Sequence, residues 1–112
     1  MMSNDIIKKI FNSSFNQLMN IDLNSLQAKY QMKFEALKID TQDIALLETI
    51  SDQDLKEISE KILKKTNIYL DGMKSNEIND EVLDNIVEIF FHEIVESIDY
   101  VYNLIISKQL GG

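Results

Sequence analysis

The stretch "EVLDNIVEIFFHEIVESIDYVYNLI", Glu81 to Ile105, holds six acidic residues, one histidine and no basic residue, yet its apolar residues recur at helical spacing. Val82, Leu83, Ile86, Val87, Phe90, Phe91, Ile94, Ile98, Val101, Tyr102 and Ile105 trace a broad apolar band, and the acids line the other side. Asn79 or Asp80 can cap the segment, and the chain has no proline to break it. The pattern predicts one helix from about Asp80 to Leu110, roughly 45 Å long at 1.5 Å per residue. From Ile98 to Ile106 only Asp99 and Asn103 are polar, so one neighbouring helix cannot cover the end of this one.

The rest of the chain divides into shorter helices that can pack against it. Ile6, Ile7, Ile10, Phe11, Phe15, Leu18 and Met19 predict an amphipathic helix from about Asp5 to Asn20, capped by Ser3 or Asn4. Leu23, Leu26, Tyr30, Phe34 and Leu37 fit a second helical stripe behind Asp22. Within it Leu26, Ala28, Tyr30, Met32, Phe34 and Ala36 also alternate as a strand would. Helix is preferred for 26–36, because Leu, Gln, Ala, Lys, Met and Glu are good helix formers and no partner strand is visible.

A third helix is predicted over about Thr41 to Ile50, burying Ile44, Leu47 and Ile50. Ser51 then precedes Asp54 by three residues, a capping-box spacing with aspartate in place of glutamate, and opens a fourth helix. Its buried stripe is read as Leu55, Ile58, Ile62, Leu63 and Tyr69. Asp71-Gly72 should end it, with the glycine expected to take a left-handed terminus. The fold class expected is all-α: a single-domain bundle (1–112) of four or five helices with the long carboxyl-terminal helix as its spine.

Composition narrows the chemistry. The chain has 112 residues, no cysteine and no arginine, all eleven basic residues being lysines. Thiol nucleophiles, thiolate metal sites and disulfides are excluded, and the bidentate fork that grips phosphate is absent. Neither a membrane span nor a signal peptide is visible, and a cytoplasmic setting is expected. Formal charge is +1 over residues 1–40, −2 over 41–74 and −7 over 75–112, summing to −8. That carboxyl-terminal third should repel nucleic acid and anionic lipid and attract basic protein surfaces, unless it serves only as a solvated coat.

The chemical constellations are sparse. Glu88, His92 and Glu96 stack along one face, with Asp84 and Asp99 extending the row. Carboxylates with an imidazole suggest a divalent metal or acid–base chemistry centred on His92. Di-metal bundles, however, take a Glu-x-x-His pair from each of two helices, and this chain has one histidine. Ser13, Ser14 and Ser25 lack a partnering base, and Gly72, Gly111 and Gly112 form no phosphate loop. The Gly111-Gly112 terminus invites comparison with conjugated modifiers, but those are built on a sheet. Lys56, Lys61, Lys64 and Lys65 form a small basic patch interrupted by Glu57 and Glu60, better suited to pairing with the acidic last helix than to nucleic acid.

The function expected is therefore a non-catalytic, acidic protein-binding module of the inhibitor, immunity, antitoxin or chaperone kind, with no cofactor. Its partner-binding face would be Asp84, Glu88, His92, Glu96 and Asp99, meeting a protein with a basic surface. A structural subunit of a phage or secretion assembly and a metal-dependent enzyme centred on His92 are the alternatives. Because the long helix outreaches its neighbours, a homodimer is also expected, with Tyr100, Val101, Tyr102, Leu104, Ile105 and Ile106 at the interface.

Overall fold

A computed structural model describes residues 5–18, 21–37, 39–74 and 77–110. Their order is α1 (Asp5–Phe15), α2 (Leu23–Leu37), α3 (Thr41–Glu48), α4 (Asp52–Asp71) and α5 (Asp80–Leu110), with no strand among the described residues. Side-chain caps open the last four. Asp22 accepts the backbone N–H of Asn24 at 3.0 Å, Asp40 that of Gln42 at 2.9 Å, Ser51 that of Asp54 at 3.1 Å and Asn79 that of Val82 at 3.0 Å. Each satisfies a donor that has no intrahelical partner. The Asp22 carboxyl is held below the usual aspartate range, first by the Ser25 hydroxyl and then by the N–H groups of Asn24 and Ser25.

Several bounds differ from the sequence pattern. α1 ends at Phe15 rather than Asn20, because the chain tightens into a turn in which the Leu18 N–H reaches the Phe15 carbonyl at 3.1 Å. The predicted caps Ser3 and Asn4, the residues Met19 and Asn20, and Gly111-Gly112 lie outside the described residues. α3 stops at Glu48, where the Thr49 hydroxyl donates to the Leu46 carbonyl at 2.7 Å and takes up an end-of-helix acceptor. Gly72 does cap α4, but at φ −79° and ψ −7°, so the expected left-handed terminus is not formed. A right-handed cap suffices because the Gly72 N–H already reaches the Ile68 carbonyl at 3.1 Å.

The helical reading of 26–36 holds, and the strand-like alternation is incidental. Leu26 and Tyr30, one turn apart, are buried, whereas Met32 is 70% exposed. The inward face of α4 differs from the one its apolar residues suggest. The buried stripe of α4 runs through Leu55, Ser59, Ile62 and Thr66, while Ile58, Leu63 and Tyr69 are only half-buried. The Thr66 hydroxyl returns to the Ile62 carbonyl at 2.8 Å, and Ser14 on α1 does the same to Ile10 at 2.7 Å, so these two enter the core with their donors satisfied, whereas the buried Ser59 hydroxyl has no hydrogen-bond partner.

α5 packs against α2, α3 and α4, and α1 lies across α4 and α3. The core between them is aromatic. Phe90 of α5 meets Phe11 edge-on at 5.4 Å, Phe15 at 5.8 Å and Tyr30 at 5.7 Å, and Tyr30 stacks on Phe91 at 5.7 Å. These rings fasten α1 and α2 to the middle of α5. Since α5 has 31 residues, it sets the longest dimension of a molecule measuring 52 × 29 × 19 Å.

Tyr30 carries an oddity into this core: its hydroxyl is buried without a hydrogen-bond partner. Burial pushes the phenol up to about 12 from an ordinary value of 10.0. A raised folded value means that the stabilisation is complete below about pH 10 and is lost as pH climbs towards 12. Tyr30→Phe should therefore be more stable than wild type by about 1 kcal/mol in urea unfolding, because it removes an unsatisfied polar atom and keeps the ring. It should also unfold at higher pH in an alkaline titration followed by circular dichroism.

Candidate interaction surface on α5

The acidic face divides at about the middle of α5. In the amino-terminal half, α2 supplies counter-charges: Lys29 Nζ lies 2.9 Å from Asp84, and Lys33 pairs with Glu88. The Lys29 ammonium is held above its usual value, chiefly by the hydrogen bond to Asp84. α4 supplies the next pair. Glu93 is buried, its side chain 2% exposed, and its carboxylate takes Lys65 on one oxygen and Lys61 at 3.7 Å on the other. Lys65 is likewise raised, chiefly by Glu93. The lysine patch of α4 thus meets the acidic helix within the bundle, as its composition suggests, and Lys56 and Lys64 are not among these pairs.

From His92 onward the exposed face changes. His92 Nε2 lies 3.1 Å from Glu96 one turn along, and both are exposed. Among the described residues, Asp99 has no ion pair. Of the predicted recognition row, Asp84 and Glu88 are thus occupied by α2, whereas His92, Glu96 and Asp99 face outward as a polar ridge.

Apolar surface flanks that ridge on both edges. On one edge, α5 meets the end of α2 and α3 in a groove of about 510 Å³. Its apolar walls are Leu37, Ile39, Leu46, Val95, Ile98 and Tyr102, and its charged residues are Asp40, Asp43 and Asp99. Val95 is 46% and Tyr102 55% exposed. On the other edge, α5 meets α4 in a groove of about 300 Å³ walled by Ile50, Ile58, Tyr100, Val101 and Leu104, with Asp54, Glu57, Lys61 and Glu96 on its rim.

The six residues expected at a dimer interface are accordingly not one patch. Tyr100 and Tyr102 are two positions apart, about 160° around the helix, and fall on opposite grooves. Val101 is buried within the monomer, Ile105 and Ile106 are half-buried, and Tyr100 and Leu104 are exposed together on the α4 side.

His92, Glu93 and Glu96 offer ligand atoms all within 4.8 Å of one another, a different trio from the Glu88, His92 and Glu96 of the sequence reading. Lys61 and Lys65 already neutralise Glu93, so a cation there would have to compete with two ammonium groups. Glu93 itself was not singled out by sequence. The available signal is its register: with Ile86 and Phe90 it continues a stripe spaced by four and three, a charged residue where the period calls for an apolar one. Comparison with protein-family models, curated proteins and solved structures finds no match. No helix among the described residues is long and apolar enough to cross a membrane.

Proposed function

We propose that this chain is a non-catalytic protein-binding module that engages its partner through the groove between α5 and the α2–α3 corner. The observation that carries the reading is the contrast along α5. Asp84, Glu88 and Glu93 in the first half are matched by lysines of α2 and α4, whereas the groove at the second half has an apolar floor, exposed Val95 and Tyr102, and only aspartates among its described charges. An apolar floor with a one-signed rim suits an amphipathic helix whose apolar residues are flanked by lysine or arginine. A cytoplasmic partner presenting such a segment is the occupant proposed, in an inhibitory, immunity, antitoxin or chaperone role.

Affinity capture from native extract tests this. Wild type should retain a partner that Asp43→Lys/Asp99→Lys loses at least tenfold, with the wild-type interaction weakening as salt rises. Asp99 is exposed, but Asp43 is half-buried in the first turn of α3, where a lysine opposes the helix dipole, so the variant should lose no more than about 1 kcal/mol of stability and stay folded at the capture temperature. Equal capture by the two proteins would remove the groove from the account.

Self-association is a second reading, favoured by a separate observation: Tyr100 and Leu104 are exposed side by side on the opposite edge of α5, 59% and 40% respectively.

A further inference from the structure

We infer that two copies of the chain pair through the row Glu96, Tyr100, Leu104 and Lys108, with their α5 helices antiparallel. This rests on the self-association reading above and gives it a register. The residues recur every fourth position, so they form one continuous ridge on α5, and all four are exposed. Read in either direction, the order is charge, apolar, apolar, opposite charge. An antiparallel pair centred between Tyr100 and Leu104 sets Tyr100 of each copy against Leu104 of the other, and Glu96 against Lys108.

That is the self-complementarity a two-fold interface requires, since residue i then contacts j while j contacts i. Lys108 is the single cation of residues 75–112 against eight acids, and in this register it stands opposite Glu96, the one acid of the row. Other alignments do worse. A parallel pair sets Glu96 on Glu96 and Lys108 on Lys108. An antiparallel slip that brings Glu96 level with Asp99 opposes acid to acid. In the proposed register Asp99 faces Ile105, so no acid of one α5 directly opposes an acid of the other. The adjoining groove, with Ile50 and Ile58 beside the row, gives the partner's ring and leucine apolar surface to cover. Contact confined to a few turns makes a small interface, with association expected at about 10–100 μM.

Sedimentation equilibrium of the full chain from 5 to 300 μM at low salt is the test, using Glu96→Lys, Lys108→Glu and the double variant. Wild type should dimerise, each single variant should weaken association at least tenfold, and the double variant should return to within about threefold of wild type. The comparison discriminates sharply because Glu96→Lys reduces net charge from −8 to −6 and, by general repulsion alone, would strengthen association. A wild type that stays monomeric at 300 μM would overturn self-association altogether. A wild-type dimer that either single variant leaves intact, or that the double variant fails to restore, would overturn the register while leaving self-association standing.

Discussion

Phe90→Ala is expected to cost about 3–5 kcal/mol and to lower the urea midpoint further than any surface substitution in the chain. Phe90 is fully buried and touches rings from α1, α2 and its own helix: Phe11 and Phe15, Tyr30, and Phe91 at 5.2 Å. Its removal leaves a cavity that these neighbours cannot close without moving the helices they belong to. Domains of this size have only about 5–15 kcal/mol in total, so the variant should sit near the edge of folding at 37 °C. Phe90→Leu, which keeps most of the volume, should lose roughly half as much. Equal stability of Phe90→Ala and wild type would mean that α1 and α2 are not fastened to α5 through this cluster.

The second large effect concerns the buried acid. Lys61→Met/Lys65→Met should destabilise the fold by about 2–3 kcal/mol, because it leaves the Glu93 carboxylate, 2% exposed, without its counter-ions. The expectation is set below that for a fully buried pair because the Lys61 and Lys65 side chains are themselves 59% and 44% exposed, which screens the interaction. Adding Glu93→Met to that variant should recover most of the loss, since an apolar triad strands no charge. Glu93→Met in the wild-type background should be the mildest change, as both lysines can turn to solvent. A triple variant no better than the double would show that the lysines act through packing of their aliphatic stems instead.

These two sites show what was legible in the sequence. The long helix could be read because its signals agree: an asparagine cap, a sustained apolar band and no breaker, which together placed α5 at the observed Asp80–Leu110. The starts of α2 and α4 were readable for the same reason, each following a capping Asp22 or Ser51, whereas the Asp40 cap of α3 was not singled out. Ends and faces were harder. α1 stops early through a turn that has no strong breaker residue, and the inward face of α4 carries Ser59 and Thr66, which hydropathy places outside. The acidic row was visible at the correct spacing, but which acids are already matched depends on how α2 and α4 lie beside α5, and local periodicity carries no such information. Glu93 was hidden by the same limit, because its counter-ions come from 28 and more residues away.

Site-specific photocross-linking in native extract tests whether the groove beside Val95 is where the partner binds. A benzophenone side chain placed at Val95 lies in the acid-rimmed groove, and one at Met32, a more exposed apolar position, lies beside the lysine-matched half of α5. One dominant adduct is expected from Val95, lost when Asp43→Lys/Asp99→Lys is added, and none from Met32. The same adduct from both positions, or a co-purifying partner that never cross-links at Val95, would contradict it.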